Sequence, residues 1–144
     1  MDYSRQSNGI SKVRSILLGI NLAEPSDSLF DSTAEELAKI MAENTKSNKP
    51  SQIRKFYDEL WMWTEKAKDR EKFVELLPLI KMMKAKVAYA KGRELVTEEF
   101  SLWFGHCMDR VRSENPEEGV RALMNFRTLF EAFLGFYKVH KSRD

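Results

Sequence analysis

The sequence predicts an all-α protein, a single-domain helical bundle of about five main helices. Every strong apolar pattern repeats at three and four residues, as in an amphipathic helix, and no segment shows a convincing β alternation. The chain has 144 residues, 42% of them hydrophobic and 32% charged, with only 6 Gly and 4 Pro. This composition is typical of a soluble, largely helical protein that buries one sizeable core without a disulfide or a structural metal.

The first 30 residues are predicted to form an N-terminal arm, followed by a helical bundle domain over residues 31–144. Polar residues, glycine and proline flank one short apolar patch in this arm, so we expect a flexible start with one short helix. The patch consists of Ile10, Val13, Ile16, Leu17 and Ile20.

The first bundle helix is predicted to begin at Ser32 and to fade near Asn44. Residues 32–35 read STAE, which matches a capping box in which serine and glutamate satisfy free amides at a helix start. A polar loop follows, and Pro50 is tolerated in the first turn of the next helix, which runs to about Lys68. The inward stripe of that helix is Ile53, Phe56, Leu60, Trp63, Thr64 and Ala67.

Three main helices are predicted in the second half of the chain. A helical turn or two around Phe73 leads into Pro78, which must begin a new helix or kink the old one. The helix after Pro78 is expected to end at Gly92, because glycine accepts the left-handed conformation common at helix ends. Thr97 is predicted to cap the next helix, and Asn115, followed by proline and two acids, the last one.

Positive charge is concentrated in the middle of the chain. The net charge is only +2, yet residues 49–93 contain 12 Lys/Arg against 6 Asp/Glu, whereas the segments before and after carry an excess of acid. Residues 78–93 hold five cations and no acid. An anion-binding surface often has this appearance in sequence. The alternative interpretation is an ordinary solvated helix face.

The residue pattern gives no support to a catalytic site. The six glycines are isolated, and none belongs to a phosphate-binding motif. Cys107 lies on an apolar stripe and is predicted to be a core thiol. His106 and His140 would act as acid and base in RNA cleavage only if the fold brought them together. We therefore expect no catalytic residue.

Metal, cofactor and membrane sites are not expected either. One cysteine and two histidines cannot supply a zinc site of the usual spacing. The glutamate pairs lie in predicted first turns, where the helix dipole explains them. No apolar run is long enough to cross a bilayer and no signal peptide is recognisable, which predicts a cytoplasmic protein without a membrane partner.

One candidate binding surface lies on the helix that follows Pro50. Arg54, Tyr57 and Trp61 are spaced at i, i+3 and i+7, so a cation and two aromatic rings line one flank of that helix. A guanidinium can hold phosphates and aromatic rings can stack on bases, although aromatics at this spacing are more often core. Lys55 can instead form ordinary helical ion pairs with the acids at positions 58 and 59.

Two rows of cations flank the apolar stripe of the helix that ends at Gly92. Lys86 and Arg93 are seven residues apart and share one face, and Lys84 with Lys91 forms a second row. This pattern indicates a helix that docks by its middle while its charged edges reach outward along long alkyl stems.

The segments KPSQIRKFY, at residues 49–57, and KAKVAYAKGR, at residues 84–93, resemble the small subunit of type III-A CRISPR interference complexes, the Csm small-subunit family. The segment FRTLFEAF, at residues 126–133, fits the same pattern, and the resemblance covers about residues 32–140. It implies an all-helical, non-catalytic protein that stacks in several copies along the duplex of guide RNA and target RNA. Other subunits of such complexes cleave RNA and DNA. A methionine-rich run at residues 78–83 departs from the family pattern.

The sequence thus predicts a binder of the RNA backbone that reads bases little. The expected partners are guide RNA (crRNA), single-stranded target RNA, other subunits of the effector complex and further copies of the chain. The alternative is a helical adaptor whose basic surface binds an acidic protein partner, and a ribonuclease comes third. The residues predicted to contact RNA are Lys49, Arg54, Lys55, Lys84, Lys86 and Arg93, with Gln52 and Tyr89 as weaker hydrogen-bonding candidates.

Overall fold

The computed structural model describes residues 3–141, with side chains from residue 8 onward. Over this range the protein contains helices and no strand, which confirms the predicted all-α class. A single π-helical turn, Leu29–Thr33, precedes α2. The α-helices are α1 (Tyr3–Leu18), α2 (Ala34–Ala42), α3 (Pro50–Lys66), α4 (Arg70–Lys81), α5 (Met83–Gly92), α6 (Glu98–Asp109) and α7 (Pro116–His140).

The predicted count of about five main helices agrees roughly with the seven helices of the described range. The two additional helices are α1, which is longer than the short helix expected in the arm, and α4, which the sequence suggested only as a turn or two. Val13 and Leu17 of α1 are buried in the same core as the later helices. The division between an arm and a domain stays a prediction, and its outermost residues, 1–2 and 142–144, lie outside the described residues.

An aromatic cluster between α6 and α7 forms the centre of the core. The ring of Trp103 stacks on Phe133 with a centroid distance of 4.8 Å and meets the edge of Phe130 at 5.1 Å. Such pairs add roughly 0.5–1.5 kcal/mol each beyond the burial of their area. Helix α7 is the longest helix and also packs on α2, α3 and α4, and the ring of Phe130 contacts Tyr57 of α3, so the cluster extends to α3.

Two of the three predicted helix caps are confirmed. Thr97 accepts a hydrogen bond from the amide of Phe100, and Asn115 accepts one from the amide of Glu118, both at 3.3 Å. The capping box at Ser32 is wrong. The backbone is already helical there, so Thr33 precedes α2 without a side-chain cap. A cap of this kind needs an extended residue in front of the helix.

The helix predicted after Pro78 begins later than expected. Pro78 lies inside α4, which continues to Lys81, and α5 starts at Met83 after a break at Met82. Pro78 removes one hydrogen-bond donor but does not end α4. The boundary between α4 and α5 is the turn at Met82. The amide of Met82 donates to the carbonyl of Leu79 at 3.2 Å.

The left-handed residue at the end of α5 is not the one predicted. The helix does end at Gly92, but the left-handed residue is Glu94, with φ 62°. The amides of Leu95 and Glu94 donate to the carbonyls of Ala90 and Lys91, both at 2.9 Å. This pattern is a Schellman motif, in which two hydrogen bonds close the helix end around one left-handed residue.

Within residues 3–141, no helix combines the length and the hydropathy that crossing a bilayer requires.

Candidate functional site

The buried residue Asn48 fixes the start of α3 beside the end of α5. Its side-chain amide donates to Thr97 Oγ1 at 2.9 Å and to the carbonyl of Met41 at 3.2 Å, and its Oδ1 accepts from the amide of Thr97 at 2.9 Å. Its own amide donates to the carbonyl of Leu95 at 3.0 Å, and the Tyr137 hydroxyl donates to its carbonyl. Asn48 has φ 58°, a left-handed conformation that asparagine tolerates better than most residues.

This arrangement brings the first residues of α3 close to the last residues of α5. Lys49 directly follows Asn48 and is exposed, as is Arg93 near the end of α5. Two segments that are far apart in the sequence, residues 49–57 and 84–93, are therefore neighbours in the fold.

One flank of α5 faces α3. Lys86 Nζ lies 2.8 Å from Glu59 Oε2 on α3, and the same carboxylate oxygen accepts from Trp63 Nε1 at 3.1 Å. Arg93 shares this flank, since seven residues make two helical turns. Its guanidinium donates to the hydroxyl of Tyr89 at 3.3 Å, and the Tyr89 side chain is 66% exposed.

The other flank of α5 faces α6. Lys84 bonds to the carboxylate of Asp109 at the end of α6, and Lys91 Nζ lies 3.6 Å from Glu98 Oε1 at its beginning. Lys81 is partly buried here and donates to the carbonyl of Met108, and burial lowers the pKa of its ammonium group. Lys84 therefore does not share a surface with Lys86, although the two are only two residues apart.

The cations at the start of α3 are exposed. Within the described residues, neither Lys49 nor Lys55 takes part in an ion pair. The ion pairs suggested for Lys55 do not form, because Asp58 pairs with Arg54 at 3.1 Å and Glu59 pairs with Lys86. We call the surface across α3 and α5 the basic strip, and it consists of Lys49, Gln52, Lys55, Lys86, Tyr89 and Arg93.

Arg54 and Tyr57 lie on the opposite flank of α3, in a groove against α7. The groove has a volume of about 720 Å³. Tyr57 is only 9% exposed and packs edge-on against Phe130 with a centroid distance of 5.5 Å. Burial raises the pKa of its hydroxyl, and the charge of Glu131 acts in the same direction. The Arg54 guanidinium lies 5.4 Å from the centre of the Tyr57 ring.

The contribution of α7 to this groove was not predicted from the sequence. Glu131, Leu134, Gly135 and Lys138 all line it. Their spacing of three, four and seven residues was the available signal, because it marks one face of α7 beside the buried aromatic stripe. Trp61, the third member of the predicted constellation, is not among the lining residues and is 47% exposed.

Comparison with known proteins identifies the family. The family model of type III-A Csm2 matches residues 24–143, which include both the basic strip and the groove. The chain belongs to the type III-A Csm2 family. Its members are the small subunits of type III-A Csm complexes, so the resemblance inferred from the sequence is confirmed. No curated protein and no solved structure matches the chain.

The two histidines of this Csm2-family chain have different neighbours. His140 Nε2 lies 3.0 Å from Glu35 Oε2, which connects the end of α7 to the start of α2. His106 lies on α6, and burial lowers the pKa of its imidazole.

The remaining candidates for chemistry are buried or dispersed. Cys107 is fully buried, and burial raises the pKa of its thiol far above the usual value. Among residues 8–141, no three His, Cys, Asp or Glu side chains are grouped so that they could hold a metal ion.

Proposed function

We propose that the chain is a non-catalytic subunit that binds the backbones of guide RNA and single-stranded target RNA within a type III-A Csm complex. The observation that carries this proposal is the basic strip, which lies inside the segment that matches the Csm2 family. Lys49, Lys55 and Arg93 are exposed there, and none of the three has a carboxylate partner within the described residues. Cations without carboxylate partners are available to phosphates.

Lys86 is also available to phosphates, because giving up its ion pair costs little free energy. The Lys86 side chain is 50% exposed and that of its partner Glu59 is 22% exposed, and an ion pair that solvent reaches contributes only about 0–1 kcal/mol. A phosphate that approaches Lys86 can therefore replace the carboxylate. Gln52 and Tyr89 supply neutral hydrogen-bonding groups between the cations, which suits contacts to ribose and phosphate oxygens.

Binding to phosphates in this way does not depend on the base sequence of the RNA. Phosphates are identical at every position of an RNA strand, so base pairing between guide and target supplies the sequence information while the strip supplies affinity. The proposal includes further copies of the chain and the other Csm subunits as partners, and the cytoplasm as the place of action. Catalysis is assigned to those other subunits.

The test measures binding of the full chain to two fluorescently labelled single-stranded RNAs of unrelated sequence, at low and high salt. We expect similar affinities for both RNAs. The logarithm of the binding constant should fall linearly with the logarithm of the salt concentration, with a slope of about 0.7 per phosphate contact.

Competition separates this proposal from the acidic-partner adaptor. Unlabelled RNA should displace the probe, whereas polyglutamate of equal charge should not. Tight binding of polyglutamate together with absence of RNA binding would contradict the proposal and favour the adaptor.

A further inference from the structure

The groove between α3 and α7 combines an apolar floor with charged groups at its rim. Leu134 and Gly135 of α7 and the ring of Tyr57 of α3 provide the apolar part, and Arg54, Glu131 and Lys138 lie around it. Its volume of about 720 Å³ falls in the range of roughly 300–1,000 Å³ typical of small-molecule sites. The groove is thus large enough for a nucleotide.

The hydroxyl of Tyr57 is a hydrogen-bonding group at the wall of the groove. The residue is 9% exposed, and its hydroxyl makes no hydrogen bond to any described residue. The hydroxyl belongs to a residue that lines the groove, and solvent reaches it there, so a bound molecule can form a hydrogen bond with it in place of water.

The charges at the rim favour a nucleotide over an acidic peptide. Two positive groups are offered to one phosphate: Lys138, which has no ion pair within the described residues, and Arg54, whose ion pair with Asp58 at 3.1 Å is exposed to solvent. Glu131 would repel an acidic peptide, whereas its carboxylate can accept hydrogen bonds from the amino groups of a base. An aromatic and aliphatic floor suits the flat face of any base.

We propose that this groove holds one unpaired nucleotide of the bound RNA strand, with the base against Tyr57 and Leu134 and the phosphate near Arg54 and Lys138. This inference rests on the proposed RNA-binding function and adds a base contact to it. The groove and the basic strip lie on opposite flanks of α3 and approach each other at its start, where Pro50 lines the groove and directly follows Lys49.

Gly135 allows the groove to be filled without disturbing the core. A β-carbon at this position meets no atom within 4 Å, so the Gly135→Met side chain enters open space. Gly105 on α6 is equally open and does not line the groove, so Gly105→Met is the matched control. Both substitutions replace a glycine within a helix by a better helix former, and neither should lower the melting temperature.

The experiment compares single-stranded RNA with an abasic RNA of equal length, which keeps the ribose phosphates and lacks the bases. The full wild-type chain should bind the base-containing RNA at least about fivefold more tightly, the lower end of the range expected for one stacked base. Gly135→Met should abolish this preference while binding the abasic RNA as the wild type does. Gly105→Met should retain the preference.

Tyr57→Phe separates the hydroxyl from the ring. It should lower the preference for base-containing RNA about two- to fivefold, as expected for one neutral hydrogen bond, and leave the affinity for abasic RNA unchanged.

The possible outcomes distinguish the groove from the strip. Equal wild-type affinity for both RNAs overturns the groove proposal and leaves the phosphate-binding function intact. Absence of binding to either RNA overturns the proposed function itself. If Gly135→Met leaves RNA binding unchanged but prevents assembly with the other Csm subunits, the groove binds a protein segment and the proposal is wrong.

Discussion

The two cationic rows of α5 have the same charge and spacing but different surroundings. Lys84 and Lys91 face α6, where the carboxylates of Asp109 and Glu98 pair with them. These two ion pairs connect α5 with α6 and give each of the two cations of this row a carboxylate partner.

In the row that faces α3, only one of the two cations has a carboxylate partner within the described residues. Lys86 pairs with Glu59, whereas Arg93 has the phenol of Tyr89 as its partner, and Lys55 on α3 has no carboxylate partner in the described part of the chain. A cation on a helix thus stabilises the fold or remains available to a ligand according to the helix that packs beside it. The predictions below test this difference between the two flanks.

The largest effect is expected from removing the residue that holds the α3 flank in place. Asn48→Ala deletes three buried side-chain hydrogen bonds and leaves the amide of Thr97 without its acceptor. We expect the free energy of unfolding to fall by about 2–4 kcal/mol, measured by urea denaturation. RNA affinity should fall as well, because the strip loses its alignment.

Asn44→Ala is the matched control for this substitution. Asn44 accepts hydrogen bonds from the amides of Lys46 and Ser47 in an exposed loop, where water can replace the side chain. A smaller loss, below about 1.5 kcal/mol, is expected. Equal losses in both variants would show that Asn48 has no special role.

The two rows themselves can be compared with paired double substitutions. Lys86→Ala with Arg93→Ala should weaken RNA binding at least tenfold, because each charged hydrogen bond lost is worth roughly 1.5–3 kcal/mol. Lys84→Ala with Lys91→Ala removes the same charge from the same helix at the same spacing. It should change RNA affinity much less and lower stability by up to about 1 kcal/mol per ion pair.

Fluorescence anisotropy and thermal melting together measure this comparison. The salt dependence should become shallower by about 0.7 per phosphate contact in the first double variant only. Identical losses of RNA affinity in both double variants would mean that the charge of α5 acts as a whole and that its two flanks are equivalent.

The sequence predicted the helical class and several helix boundaries because these depend on local signals. Thr97 and Asn115 cap their helices as expected, since a polar side chain three residues ahead of a free amide is a property of the chain itself. The capping box at Ser32 failed because the preceding turn was already helical. A four-residue motif contains no information about the conformation of the residues before it.

The candidate site was less predictable because it depends on which helices become neighbours. Lys84 and Lys86 look equivalent in sequence, and only their partners separate them, Asp109 of α6 for Lys84 and Glu59 of α3 for Lys86. The contribution of Glu131 and Lys138 was missed for the same reason, since these residues lie about 80 positions from Arg54 along the chain. Periodicity identifies the exposed faces of a helix, but it does not identify their neighbours.

The end of α5 provides a smaller test of how the strip is positioned. Glu94 adopts a left-handed conformation that glycine adopts without strain, so Glu94→Gly should raise the free energy of unfolding by about 1 kcal/mol. Glu94→Ala removes the same charge and keeps the β-carbon, so it should not stabilise the protein. If Glu94→Ala raises the melting temperature as much as Glu94→Gly does, the stabilisation comes from removing the charge of Glu94 and not from its backbone conformation.

The smallest effect is expected from the carboxylates that face the two rows. Glu59→Gln keeps an acceptor for Trp63 Nε1 but frees Lys86 from its ion pair, so RNA affinity should rise about two- to fivefold, in line with the small value of a surface pair. Asp109→Asn frees Lys84 in the same way on the flank that faces α6. It adds the same net charge, so any general electrostatic attraction increases equally in the two variants. A rise that is confined to Glu59→Gln therefore measures the position of Lys86 on the strip, whereas equal rises would show that RNA responds to net charge alone.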